Sequence, residues 1–262
     1  MVPFHNTRSN DKGVSEAIGF MLIFGIVITG IGLVTLYGYP LLLQQQVGAD
    51  EKIMEKNMIV LQNDIKSLAY KTVPFKETSL KIGGGSLTVY NSSYDPSTLT
   101  IYSDPANPYV DSFKAGELRY ESVSAQTDIS LQNGAVVLRP RIAPGSTMLA
   151  EPRWFYDEKT RTMVINLINI TSTNLMAKEG IGTVQMTLGD TNYTYISVSP
   201  ASNPVLVKYN PNPLQDYSVA WDNYFTKTLG MDQETPGIVG TYKLPVVNTL
   251  VIKKYEVQIK NI

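Results

Sequence analysis

Residues 17–49 read AIGFMLIFGIVITGIGLVTLYGYPLLLQQQVGA, 33 consecutive positions without a charge, and the apolar part runs to about Leu43. Wound as an α-helix at about 1.5 Å per residue, 17–43 measures roughly 40 Å, enough to cross a hydrocarbon core of about 30 Å with some tilt. A cleaved secretory signal has an apolar region of only about 7–15 residues before a small-x-small site. The block here is longer and runs into Gln44–Gln46, and core helices of soluble proteins rarely run so far without a charge. The pattern therefore predicts a membrane-spanning helix. Arg8 and Lys12 precede it while Asp50 and Glu51 follow, which puts the short N-terminus in the cytoplasm and the remainder outside. Gly19, Gly25, Gly30, Gly32 and Gly38 recur through the block, and small residues let helices approach closely in lipid.

The pattern then changes without a break. In 50–71, DEKIMEKNMIVLQNDIKSLAYK, the residues Met54, Met58, Leu61, Ile65 and Leu68 are spaced four, three, four and three, a heptad-type stripe. Glu51, Lys52, Glu55, Lys56, Asp64 and Lys66 occupy the rest of the surface, so this is a helix with one buried side. A helix from Ser15 to Tyr70 would be about 80 Å long. Pro40 interrupts it, because its ring clashes with the carbonyl of Leu36 and its nitrogen cannot donate; a kink is expected there, assisted by Gly38. Pro74 ends the helix by Val73.

From about Thr78 the period falls to two, with turn residues at short intervals, which predicts an antiparallel β domain. Three hairpins are expected: 80–82 with 87–90 around Gly83-Gly84-Gly85, 129–131 with 136–138 around Asn133-Gly134, and 184–188 with 193–198 around Gly189-Asp190. Further strands are expected at 99–102, 118–123, 154–156, 163–170, 205–209 and 250–259. One helix interrupts them, at 216–230, where Trp221, Phe225 and Leu229 recur every four residues and Gly230 closes it. No Pro- or Ser-rich linker divides 78–262, which reads as one β-sandwich-like head. The fold class is α+β.

Charge and composition narrow the chemistry. The 22 basic and 23 acidic side chains leave a net charge of −1, and no field draws the chain to a nucleic-acid backbone. Without cysteine there is no disulfide, thiolate nucleophile, Cys-ligated zinc or iron–sulfur cluster. The single histidine, His5, lies ahead of the apolar block. Asp95, Asp104 and Asp111, and again Asp216 and Asp222, lack the oxygen spacing of a known Ca²⁺ loop and read as turn carboxylates. Asn91, Asn169 and Asn192 each open an N-x-Ser/Thr acceptor pattern, at a frequency that the abundance of Asn, Ser and Thr makes expected by chance. The 16 tyrosines read mostly as strand residues at the edge of the core. No GxSxG, P-loop, HExxH or dinucleotide fingerprint occurs, so neither an enzyme nor a cofactor is expected.

The junction Asp11-Lys12-Gly13-Val14-Ser15-Glu16-Ala17-Ile18-Gly19-Phe20 sets charge, glycine and an acid directly against the apolar block. It resembles the class III signal peptide of archaeal type IV pilin-like proteins, over about the first 70 residues. The resemblance implies cleavage between Gly13 and Val14 by a membrane aspartic peptidase, with Lys12 keeping the bond at the membrane surface. It divides the chain into a leader, 1–13, a long helix, 14–73, and a head, 78–262. In bacterial pilins the fifth mature residue is acidic and pairs with a neighbour's N-terminus. Here the acid, Glu16, is third and the fifth is Ile18, so that pairing role would fall to Glu16. Archaellins share the leader type but usually begin with a different, Gly-rich start. The function implied is a structural subunit of a surface filament for adhesion, a homopolymer made with a prepilin peptidase, an assembly ATPase and a membrane platform protein. Its subunit waits in the membrane as a single-pass protein with an extracellular head. The alternatives are a non-polymerising anchored surface protein or a minor pilin. A carboxylate-based enzyme acting on polysaccharide would need two carboxylates about 5–10 Å apart in a cleft.

Overall fold

The computed structural model describes residues 11–71, 73–197, 204–238 and 240–262, with the side chains of 11–15 and 192–197 outside that description. Helix α1 spans Asp11–Leu33 and helix α2 spans Tyr39–Lys71, with one π-helical turn, Val34–Gly38, between them. The turn falls where Pro40 leaves the carbonyl of Leu36 without its usual donor. The Tyr39 N–H reaches back five residues to the Val34 carbonyl, so the widened turn absorbs the missing bond just before the proline. The helix stops at Lys71, ahead of Pro74, as expected. Two compact units meet between Ala49 and Asp50. The amphipathic stretch, 50–71, thus groups with the head.

The reason is the stripe. Met54, Met58, Leu61, Ile65 and Leu68 are completely buried, packed among side chains from seven strands of one sheet. Burying such side chains stabilises by about 1.5–3 kcal/mol each, so the stripe contributes on the order of 10 kcal/mol before ordering entropy is subtracted.

Fourteen strands follow in chain order among the described residues. They are β1 (Phe75–Tyr90), β2 (Thr98–Tyr102), β3 (Val110–Phe113), β4 (Glu117–Ser122), β5 (Thr127–Gln132), β6 (Ala135–Pro140) and β7 (Thr147–Ala150). Then come β8 (Phe155–Asp157), β9 (Thr162–Ser172), β10 (Met176–Ser197), β11 (Val205–Asn210), β12 (Asp232–Gln233), β13 (Thr241–Leu244) and β14 (Thr249–Asn261). A short helix, α3 (Ser218–Asn223), continues into a second π turn at Tyr224–Thr228, and Gly230, at φ +65°, ends it. They form a nine-stranded sheet, β7-β6-β5-β4-β1-β10-β14-β9-β8, and a five-stranded one, β12-β13-β11-β2-β3. Pairing is antiparallel except where β14 runs parallel to β9.

The large sheet curls. Its two edge strands, β7 and β8, are joined by only 151–154, a path of about 17 Å at full stretch. Nine strands laid flat would hold those edges about 38 Å apart. Gln62 fastens the closure from the helix, donating to the carbonyls of Gly134 (2.7 Å) and Glu151 (3.0 Å). Asn133 Oδ1 accepts from the Ile168 N–H at 2.9 Å, and Trp154 Nε1 donates to the Asn166 carbonyl at 2.6 Å. One face of the sheet wraps the α2 stripe. The other packs on the small sheet and α3 through a second core rich in aromatics, with Trp221 against Phe225 (5.5 Å) and Phe225 against Tyr242 (4.7 Å).

Of the three expected hairpins one is present. Asn133 (φ 47°) and Gly134 (φ 72°) join β5 to β6 in a two-residue turn, the type I′ geometry that Asn-Gly favours. The other two are corrected. Gly83–Gly85 does not turn the chain; β1 runs straight through it, with a register break between Ile82 and Leu87. Its glycines allow close approach instead, since a Cβ on Gly83 would strike the Asp50 carboxyl and one on Gly85 the Glu121 carbonyl. Likewise β10 passes through Gly189-Asp190, breaking register with β14 between Leu188 and Thr191. Strands β3, β7, β12 and β13 had no expected counterpart.

Candidate functional site

Two places could carry function. The first is the apolar half of the helix. Ile18, Phe20, Met21, Leu22 and Ile23 are all exposed, as are most large side chains up to Leu43, and nothing else in the described chain covers them. This is one helix long and apolar enough to cross a membrane. A Cβ added at Gly19, Gly25, Gly30 or Gly32 would meet nothing within 4 Å. Each glycine in a helix interior costs about 0.8–1 kcal/mol relative to alanine, and nothing within this chain offsets it. At about 100° per residue, Gly19 and Gly30 lie about 20° apart on one face, and Gly25 and Gly32 about 20° apart on another. The segment thus offers two glycine faces.

The expected processing residues, Lys12, Gly13 and Val14, have their backbones in the first turns of α1, and their side chains lie outside the description, as do residues 1–10 of the leader. Glu16 follows them, exposed, at the edge of the apolar surface. Gly38 closes the π turn and Pro40 stands two residues beyond.

The second place is a groove of about 780 Å³ in the head. Its floor grows from β4, where Glu117, Arg119 and Glu121 alternate with the buried Leu118 and Tyr120. Even-numbered side chains face α2, so the charged ones emerge on the opposite face. The Arg119 guanidinium lies 3.9 Å over the Tyr90 ring, with Nε 2.9 Å from Glu121 Oε1 and Nη1 3.4 Å from Glu117 Oε1. Both pairs are off the line of a hydrogen bond, and Arg119 Nε and Nη1 make none. Glu117 Oε2 accepts from the Ser130 hydroxyl at 2.5 Å. Burial pushes the Glu117 carboxyl above the ordinary carboxylate range, against the pull of Arg119. Next door, fully buried Asp128 takes Arg139 Nη2 at 3.0 Å and has Arg141 Nε at 3.0 Å.

Asp95, also lining the groove, is committed: it accepts from Ser97 N (2.8 Å), Ser97 Oγ (2.6 Å) and Gly116 N (3.0 Å). It is a buried brace, not the solvated turn carboxylate expected. Asp104, Asp111 and Asp216 each accept locally, from Ala106, Ser112 and Ser218, and Asp222 from Gln233. No group of three His, Cys, Asp or Glu that could hold a metal occurs among the described residues.

The acceptor asparagines are scattered. Asn91 Oδ1 takes the Ser93 N–H and its Nδ2 donates to the Ser172 carbonyl at 2.6 Å, a bond that a glycan there would break. Asn169 is half-buried in β9, opposite Glu256. Asn192 sits in β10 opposite Lys254, with its side chain outside the description.

Sequence reasoning missed the groove. One signal was available beside it: pairing about Asn133-Gly134 sets buried Asp128 opposite Arg139, a complementary pair readable from the hairpin register, and Arg139 in turn donates to Gln215 of the groove lining. No curated protein and no solved structure matches the chain. A family model covers residues 12–260, helix and head together, and on that extent the chain belongs to the family of unknown function DUF7289.

Proposed function

We propose that this chain is the structural subunit of an archaeal type IV pilus-like surface filament, cut between Gly13 and Val14 and polymerised through its N-terminal helix for attachment. The observation that carries the reading is the division of labour along the helix. Residues 50–71 fill the head's own core, whereas the apolar block buries nothing in its own chain and keeps four glycines that this chain does not require. An apolar helix with two glycine faces suits first lipid and then close packing against copies of itself, where van der Waals contact between helices replaces contact with lipid tails. Glu16, at the edge of that surface, would answer the positive charge of a neighbour's new N-terminus. A prepilin peptidase, an assembly ATPase and a membrane platform protein are the partners this reading requires.

Electron microscopy of sheared surface filaments, with N-terminal sequencing of their subunit, tests it. A mature start at Val14 in filament material is expected. An intact Met1 found in the membrane fraction alone would sink the filament reading in favour of an anchored surface protein. Replacing Gly30 by leucine should abolish filaments while leaving head stability unchanged; normal filaments from that variant would remove the role assigned to the glycine faces.

A further inference from the structure

We infer that the groove over β4 is a binding site for a neutral hexose oligosaccharide, its floor holding sugar hydroxyls and its rim one face of the ring. The inference stands apart from polymerisation and concerns the head alone. The groove joins features that seldom meet. Arg119 lines the groove although it is 95% buried, at 5% relative exposure, and its Nε and Nη1, sealed against Glu121 and Glu117, have no aligned acceptor, a costly arrangement for buried donors. Around it stand Tyr94, Leu175 and Leu214, exposed by 87%, 79% and 81%, all lining the same groove. Most of the head's large apolar side chains are buried, so three bare ones at one cavity mark a surface built for contact.

The charges decide the class of ligand. An anion gains little, because Glu121 and Glu117 stand 2.9 and 3.4 Å from the single guanidinium and balance it. A purely apolar ligand would leave the polar side chains that line the groove, Glu117, Arg119 and Asn174, without partners, which is costly. A neutral polyol fits both demands, since each hydroxyl donates to a carboxylate and accepts from a guanidinium N–H. The Asn174 amide, at the rim, makes no hydrogen bond among the described residues. The exposed Tyr94 ring can lie against the C–H face of a pyranose, large rigid area with a polar tip. A volume of about 780 Å³ lies within the usual range for small-ligand sites, about 300–1,000 Å³. Of the two carboxylates that line the groove, Asp95 has both oxygens in internal hydrogen bonds and Glu117 has Oε2 so held, leaving Glu117 Oε1 for a hydroxyl, which favours holding a sugar over cleaving one.

The test is titration of the full chain, in a detergent without a sugar headgroup, with neutral trisaccharides of glucose, mannose and galactose and with trigalacturonate as the acidic control. Millimolar or tighter binding of at least one neutral trisaccharide is expected, weakened about tenfold or more by Tyr94→Ala. Tyr94 is exposed, so that variant keeps its fold; Arg119→Gln, checked by circular dichroism, should also lose binding. Binding of none of the neutral sugars at millimolar concentration overturns the inference, and so does preference for trigalacturonate or binding that Tyr94→Ala leaves intact. Protection of Tyr94 from chemical modification in assembled material, with no sugar present, would give the groove to a neighbouring copy and overturn it equally.

Discussion

The two halves of the N-terminal helix have nearly the same length and opposite economies. Residues 17–43 are apolar all round and exposed, while in 50–71 five apolar side chains in heptad spacing are wholly buried and the charged ones are either exposed or half-buried at the stripe's margins, where Glu51 and Asp64 take hydroxyls from the sheet. What separates them is not helix propensity but the partner each has. The lower half owns a sheet that curls around it, and its narrow stripe matches that one surface. The upper half, hydrophobic on every side, suits surroundings that are apolar in every direction.

The sharpest way to break this comparison is to cut the chain. A fragment beginning at Asp50 should unfold cooperatively with the head intact, whereas one beginning at Phe75 should show no cooperative thermal transition, because it lacks the filling of the sheet. Equal melting curves would remove the stripe from the core. Next in size is a matched pair of substitutions. Leu61→Ala should destabilise the head by about 2–5 kcal/mol in denaturant titration, while Leu22→Ala leaves the same transition unmoved.

Gln62→Leu tests the polar fastening. It strands the carbonyls of Gly134 and Glu151 and should cost about 1–3 kcal/mol; hydrogen exchange should rise first at 133–134 and 151–154. A smaller effect comes from pH. Burial raises the Glu117 carboxyl in the fold, so the folded head holds that proton more tightly than the unfolded chain does. The group's contribution is greatest at low pH and falls as pH rises from the ordinary carboxylate range through its raised value. Comparing stability against pH for the wild-type chain and Glu117→Gln should show that slope lost in the variant.

Much of this was legible from spacing alone. The stripe from Met54 to Leu68, the helix stop before Pro74, the Asn133-Gly134 turn and the aromatic repeat from Trp221 to Leu229 each follow from a local rule, and each element appears where that rule puts it. The two absent hairpins share one cause. At Gly83–Gly85 and Gly189-Asp190 the local rule expects a turn, whereas the glycines serve β1 and β10 as register breaks inside long strands. Local sequence carries no sign of how far a strand goes on pairing after such a break, because its partners are distant in the chain. The groove was hidden for a related reason: Glu117, Arg119 and Glu121 alternate as a solvated strand face would, and only the second sheet and the 212–215 loop decide that this face is covered.

The parallel pairing of β9 with β14 has a consequence for how the head is made. The last strand in chain order is an interior one, lying between β10 and β9, with Thr249 opposite Thr162 and Ile259 opposite Ser172. Partners so far apart in sequence meet late, since the loop between them must be closed before any contact rewards it. During synthesis, a chain stopped anywhere short of Thr249 would leave β9 and β10 with facing, unpaired backbone edges. The sheet is thus closed only once Thr249–Asn261 has been made, and a product truncated before it would present open strands that quality-control proteases can seize.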